Sequence, residues 1–298
     1  MNKISSLLLI LLTAFAVMSC DKEDNDVNKP GVNNGKRLLK TVYYDENDNE
    51  SSVEEWTYVN NFTCVTTYED GEPISKREHL ISGNASSEQY FTWSDGNWNL
   101  QSETITKMNS QGRIQSIESR LGNPSYHTDL GWYTYSGDST IVVSSTNGQV
   151  NYKTVTVQNG NTTESIRYSY LGDYQWKEYE YRKTVVTFTD GDNGKPHSTV
   201  IYDREGNVIF RYDYVWNGQN YKVYLTSNGV RRLQSDVVRD GNTTTQIRYW
   251  TNTDNEMPLD KTVIKEMGNT IEKCNYSYFS GTWVLARKKV DYYEDTSK

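Results

Sequence analysis

The stretch Thr199-Val200-Ile201-Tyr202-Asp203-Arg204-Glu205-Gly206-Asn207-Val208-Ile209-Phe210-Arg211-Tyr212-Asp213-Tyr214-Val215-Trp216-Asn217-Gly218 decides how this chain folds. Its two apolar runs are rich in β-branched and aromatic residues. They flank a polar turn with Gly206-Asn207, and a second turn follows at Asn217-Gly218. Gly and Asn tolerate the positive φ that tight hairpins require, so the segment reads as strand, turn, strand, turn.

The same grammar runs outward in both directions. Turn signals recur at Asp70-Gly71, Ser82-Gly83-Asn84, Asp95-Gly96-Asn97, Gln111-Gly112, Ser136-Gly137-Asp138, Asn147-Gly148, Asn159-Gly160-Asn161, Asn228-Gly229, Asp240-Gly241-Asn242, Gly268-Asn269 and Ser280-Gly281. Strand-like runs such as Lys153-Thr154-Val155-Thr156-Val157 and Thr184-Val185-Val186-Thr187-Phe188 lie between them. Nothing after the first twenty residues keeps a capped 3.6-residue apolar period. The chain predicts an all-β protein, a long antiparallel meander of about sixteen to eighteen strands, open or superhelical. Its five prolines agree, because proline cannot donate to a ladder.

Composition points to a thin sheet. Hydrophobic residues make up 35% of the chain, with 24 Tyr and 8 Trp against 6 Phe. Aliphatic side chains are too few for a thick two-layer core, so cross-strand pairs of Tyr, Trp, Thr and Val must hold the sheet. The net charge is −8, with acidic and basic residues interspersed and no basic stripe, which argues against nucleic acid as a partner.

A longer period overlies the hairpins. Trp56, Trp93, Trp132, Trp176, Trp216, Trp250 and Trp283 recur every 33–44 residues. That spacing is near the length of a propeller blade, so a seven-bladed β-propeller is the alternative fold. Tyr90-Phe91-Thr92-Trp93-Ser94-Asp95-Gly96-Asn97-Trp98, Tyr168-Ser169-Tyr170-Leu171-Gly172-Asp173-Tyr174-Gln175-Trp176 and Tyr276-Ser277-Tyr278-Phe279-Ser280-Gly281-Thr282-Trp283 are its clearest aromatic turns. The runs Tyr202-Asp203-Arg204-Glu205-Gly206-Asn207-Val208 and Asn109-Ser110-Gln111-Gly112-Arg113-Ile114 resemble the YD-type hairpin repeats of Rhs-like proteins. Together with Tyr214-Val215-Trp216-Asn217-Gly218 they resemble repeat-bearing surface lipoproteins of Bacteroidetes. That resemblance implies an open β-meander and supplies no catalytic residue.

The N-terminus carries an address. Lys3 precedes an apolar run from Ile4 to Val17, and Val17-Met18-Ser19-Cys20 closes it with a small residue before cysteine. The run is too short to span a bilayer and has the layout of a lipoprotein signal. Residues 1–19 read as a signal peptide, 20–36 as a lipidated Cys20 with an acidic, polar linker, and 37–298 as the repetitive β domain. Asp21-Lys22-Glu23-Asp24-Asn25-Asp26 resembles the export signals of Bacteroidetes lipoproteins. The expected location is the outer membrane, lipid-anchored and at the cell surface, with the periplasmic face as the alternative.

Chemistry is sparse. His79, His127 and His197 stand in unrelated neighbourhoods, and no nucleophile-elbow motif is present. Asp190-Gly191-Asp192-Asn193-Gly194 begins like a calcium loop, but its twelfth position is Ile201. Asp45-Glu46-Asn47-Asp48-Asn49-Glu50 reads as a similar acidic turn. Cys64 and Cys274 are either two isolated small apolar residues or a disulfide joining the two ends of the domain. Neither cofactor nor metal is expected. Asp138-Ser139-Thr140 resembles a Bacteroides O-glycosylation acceptor, with Ser139 as the modified residue. Aromatics at turns, namely Trp98, Trp176, Trp216, Tyr221 and Trp283, are the expected exposed ligand contacts for a glycan or a protein. The expected function is a non-enzymatic, surface-anchored binding module. The alternatives are a structural spacer and a hydrolase with an unrecognised site.

Overall fold

The computed structural model describes residues 32–33, 36–122, 127–173, 175–188, 195–250 and 256–295. Cys20, the leader and the Asp190–Gly194 turn lie outside the described residues. A two-residue strand β1 (Val32–Asn33) lies within the stretch read as linker and pairs with the start of β2. Twenty long strands follow: β2 (Lys36–Tyr44), β3 (Glu50–Val59), β4 (Phe62–Glu69), β5 (Glu72–Ser82), β6 (Ala85–Ser94), β7 (Asn97–Met108), β8 (Ile114–Leu121), β9 (His127–Ser136), β10 (Ser139–Thr146) and β11 (Gln149–Asn159). After them come β12 (Thr162–Gly172), β13 (Gln175–Phe188), β14 (Pro196–Tyr202), β15 (Val208–Asn217), β16 (Asn220–Ser227), β17 (Val230–Asp240), β18 (Thr243–Tyr249), β19 (Pro258–Met267), β20 (Thr270–Phe279) and β21 (Thr282–Asp295).

Each strand from β2 to β21 pairs antiparallel with its sequence neighbours, as the hairpin reading requires. The turns follow their chemistry. Asp95 and Gly96 both take positive φ (52° and 74°), the type I′ geometry that matches strand twist. Asp45, Asn109 and Asp203 open a longer turn, in which the Asx carboxyl or amide oxygen accepts from backbone N–H groups two or four residues on. The first of these, Tyr44-Asp45-Glu46-Asn47-Asp48-Asn49, has the same turn geometry, with Asp48 (φ 65°) where the other two have Gly. Its carboxylate is engaged by the turn's own N–H groups rather than arranged as a calcium ligand.

The meander is not open. Strand β21 pairs with β2 along most of their length, from Lys36↔Asp295 to Tyr44↔Lys288, and β2 pairs with β3 on its other side. The sheet is therefore a closed, twenty-stranded antiparallel barrel. This corrects the open or superhelical expectation, and no propeller blade is present among the described strands. Closure follows from edge chemistry, because unpaired N–H and C=O rows on β2 and β21 satisfy each other. It does not use a disulfide. Cys64 and Cys274 are both free. They sit on β4 and β20, four strand steps apart across the seam, on the order of 19 Å at ~4.8 Å per strand.

The seam is well bonded. Thr41 Oγ1 donates to Asp291 Oδ1 at 2.7 Å, and Lys289 Nζ lies 2.8 Å from Asp291 Oδ2. Thr41 is 1% exposed and Asp291 6% exposed. On the opposite face Val42 pairs with both Val290 and Val53, all buried. Lys288 Nζ adds a 2.8 Å bridge to Asp48 and sits 4.7 Å from the centre of the Tyr44 ring.

Side chains alternate between two faces, and register carries each face from strand to strand. The first face includes Thr41, Tyr58, Thr63, Val65, Arg77, Arg182, Val223, Val237, Lys273 and Asp291; the second includes Val42, Lys76, Glu78, Glu118, Lys183, Val200, Leu233, Lys265 and Val290. Buried apolar residues are few and fall on both faces, so neither is a continuous core. Twenty strands also exceed the number at which side chains can fill a round barrel. Both surfaces of the wall carry charge.

Candidate functional site

Up-and-down connectivity sends successive hairpins to alternate rims. The β6–β7, β12–β13 and β20–β21 turns share one rim. The β3–β4, β9–β10 and β15–β16 turns share the other. Both described ends of the barrel chain, Lys36 and Asp295, lie at this second rim, where they pair with each other. The Trp period of the sequence therefore corresponds to three strands, not to a four-stranded blade. Because three is odd, most successive copies change rim.

At the first rim, three copies each place a cation over an aromatic pair. Lys76 Nζ lies 4.5 Å from the Phe91 ring and 5.1 Å from Trp98. Lys153 lies 4.7 Å from Tyr168 and 4.9 Å from Trp176, and Lys261 lies 4.3 Å from Tyr276 and 5.0 Å from Trp283. In all three the first aromatic follows its lysine by fifteen residues. That spacing carries the chain over one hairpin and back to the lysine's own level. The Trp then meets a partner across the next turn: Trp93–Trp98, Tyr170–Trp176 and Tyr278–Trp283 stand 4.9, 5.0 and 4.9 Å apart. These contacts lie on the second face.

At the other rim the arrangement recurs on the first face. Arg37 lies over Tyr58, Arg113 over Tyr135, and Lys195 over Trp216. Each aromatic also donates to the backbone carbonyl just after its cation: Tyr58 to Leu38, Tyr135 to Ile114, and the Trp216 indole to Pro196, at 2.9, 2.9 and 2.8 Å. Trp216 packs on Tyr221 at 4.4 Å. Burial raises the Tyr58 hydroxyl pKa, against a lowering by Arg37.

The five aromatics expected as exposed contacts are thus divided. Trp98, Trp176 and Trp283 share one rim and face, while Trp216 and Tyr221 occupy the opposite rim and face. All five are half-buried and packed on a ring or a cation. Next to a two-residue turn the first pair beyond the closing one is not hydrogen-bonded, and there facing side chains approach closely. They do not form one flat platform. The exposed aromatics, Tyr90, Trp132, Tyr152, Tyr179, Trp250, Phe279 and Tyr292, are spread around the barrel.

A cleft of about 400 Å³ opens beside Trp98 at the first rim. Thr92, Ser94, Asn99 and Gln101 line it with hydroxyls and amides. Asn99 Nδ2 donates to Ser94 Oγ and Gln101 Nε2 to Thr92 Oγ1, both at 2.9 Å. Sequence reading selected Trp98 here but not the amides. The period-2 pattern Asn97, Asn99, Gln101 on β7 was the available signal.

His127 Nε2 lies 2.9 Å from Asp129 Oδ2, and Thr146 Oγ1 donates to Asp129 Oδ1 at 2.6 Å. The Thr146 bond first, then His127, holds the Asp129 carboxyl below its usual pKa. Thr146 bonds to the carboxylate and not to the imidazole, so the acid stands between the other two; a triad instead needs nucleophile beside base. His79 lies on β5 and His197 on β14, and no group of three or more His, Cys, Asp or Glu among the described residues could hold a metal. Ser139 begins β10 at the second rim.

No family model and no curated protein matches the chain. Solved structures do match. A porin-like protein from Bacteroides uniformis ATCC 8492 aligns at 5% identity over 86% of this chain and 97% of that one, with a TM-score of 0.33. The TcdB2-TccC3-Cdc42 structure aligns at 12% identity over 82% of this chain and 17% of that one, TM-score 0.23. Transferrin Binding Protein B from Haemophilus parasuis Hp5 aligns at 9% identity over 82% and 65%, TM-score 0.21. Scores this low carry no argument, and the barrel assignment rests on the strand ladder itself.

Proposed function

We propose that this protein is a non-enzymatic, lipid-anchored envelope protein. In this reading it stands on the membrane surface as a water-exposed barrel and binds a glycan or a protein at the rim remote from its chain ends. The observation that carries it is charge on both surfaces of the wall. Arg77, Arg182 and Lys273 lie on one face, Glu78, Glu118 and Lys183 on the other, all well inside their strands. A membrane-spanning barrel needs one apolar belt, and each Arg or Lys at the bilayer midplane costs about 2–4 kcal/mol. A tether leaving the second rim toward Cys20 turns the Trp98, Trp176 and Trp283 rim outward.

The test exchanges residues 1–20 for a cleavable secretion signal lacking cysteine. The resulting protein should fractionate as soluble without detergent, whereas the natural chain should incorporate radiolabelled palmitate. A cysteine-free chain that stays in the membrane fraction and needs detergent would overturn the proposal. A structural spacer is the second reading, supported by the even scatter of exposed aromatics. It predicts envelope defects on deletion that are rescued by variants lacking every rim tryptophan.

A further inference from the structure

We infer that the cleft beside Trp98 is a binding site for a neutral carbohydrate; this rests on the binding role proposed above and names its ligand class and location. The cleft is lined by Thr92, Ser94, Trp98, Asn99, Leu100, Gln101 and Gly122, and no charged residue is among its described lining. A site without a cation does not select phosphate, sulfate or carboxylate, and one without a carboxylate does not select an amine or a metal.

The hydrogen-bond directions define what is left over. The Asn99 amide nitrogen donates to Ser94 Oγ and to the Asn97 carbonyl (3.3 Å). The Gln101 nitrogen donates to Thr92 Oγ1 and to the Asn99 carbonyl (3.3 Å). The amide donors are therefore directed back onto the sheet. The two amide oxygens remain as acceptors, and the Ser94 and Thr92 hydroxyls keep their protons to donate. Two neutral acceptors alternate with two neutral donors on the first face, while the Trp98 indole packs on Trp93 and under Lys76 on the second. Vicinal hydroxyls on a sugar ring are donors and acceptors in the same alternation. The amides are already held by Ser94 and Thr92, which lowers the ordering cost of binding.

The cleft's place in the barrel fits this role. It lies at the rim away from Lys36 and Asp295, where a large polymer can approach. A register shift at Tyr90/Phe91 puts an extra residue into β7 at Gln101, and the Gly122 N–H bonds the Gln101 carbonyl at 2.7 Å. A bulge at this point re-aims side chains without breaking the wall.

The test uses the full chain in lipid nanodiscs and isothermal titration with maltohexaose, cellohexaose, xylohexaose and mannohexaose, and with a heparin-derived hexasaccharide. At least one neutral oligosaccharide should bind and the anionic one should not. The N99A/Q101A double variant should weaken that binding at least tenfold. The Q158A/T163V variant removes a comparable amide–hydroxyl pair from the opposite rim and should leave binding unchanged. Circular dichroism checks that both variants keep the sheet. Absence of binding to all four neutral oligosaccharides, preference for the heparin fragment, or unchanged affinity in N99A/Q101A would each overturn the inference. In the last case glycan binding by the barrel survives and only this site falls. Failure of the anchored, water-exposed reading is seen separately, in the fractionation experiment.

Discussion

Replacing Thr41 with Val deletes one hydroxyl at the point where the barrel closes and keeps the side chain's shape. The hydroxyl donates to Asp291 at 2.7 Å in a site where Thr41 is 1% and Asp291 6% exposed. Water cannot readily replace the lost donor, and Asp291 is left with Lys289 alone among its side-chain partners in the described structure. A hydrogen bond to a charged group contributes about 1.5–3 kcal/mol. For a domain of this size each kcal/mol moves Tm by about 2–4 °C, so Thr41→Val should lower Tm by about 3–12 °C. The companion variant is Thr104→Val on β7, where Thr104 Oγ1 meets Ser119 Oγ at 3.1 Å in mid-wall. That neutral pair contributes about 0.5–1.5 kcal/mol. Thermal unfolding followed by far-ultraviolet circular dichroism measures both. If Thr41→Val shifts Tm no more than Thr104→Val does, the seam is not the bonded, buried junction described, and the argument for closure through Asp291 fails.

Further outcomes follow from the same geometry. Hydrogen exchange of β2 and β21 amides should be as slow as that of β3 and β4, since a closed ring has no edge strand; fast exchange along one side of β21 would mean an open sheet. Tyr43, whose hydroxyl pKa is pushed up to about 12 by burial first and then by Glu54, is protonated in the folded chain above its ordinary value near 10. Its contribution is fully present below pH 10 and lost as pH rises toward 12; Tyr43→Phe should remove one late-titrating phenol in an absorbance titration at 295 nm and flatten stability across that window. Lys153→Met and Lys261→Met each remove a cation held over two rings, costing about 0.5–1 kcal/mol apiece, and the double variant should sum the two because the clusters share no partner. Alkylation of the denatured, unreduced chain should modify both Cys64 and Cys274; protection of either would reveal a disulfide.

Local rules carried most of the fold into the sequence. Asp95-Gly96 and Gly206-Asn207 announce their turns, and Val208 to Trp216 alternates as a strand must. The turn at Asp45 was harder to read, because Asp48 occupies the positive-φ position and hides the glycine signal. Closure was not legible at all. Thr41 and Asp291 are far apart in sequence, and nothing in Leu38-Leu39-Lys40-Thr41-Val42 marks it as a partner for Lys289-Val290-Asp291-Tyr292. The tryptophan spacing was visible, but blade and three-strand period have similar lengths, and only pairing separates them. Trp98, Trp176 and Trp283 looked exposed because they sit beside turns. The lysine fifteen residues ahead of each Phe91-type aromatic was the overlooked sign that they are covered. Asn99 and Gln101 carry no motif; their meaning arises only where β6, β7 and Gly122 come together.

The odd length of the aromatic period restricts how such a ring can change in size. A barrel whose last strand must run opposite to its first tolerates only an even total, so duplicating one period of three strands would leave β21 parallel to β2 and the seam unable to form. Growth or loss has to come as whole hairpins or as doubled periods. The step from Trp250 to Trp283, two strands instead of three, is where this chain restores parity.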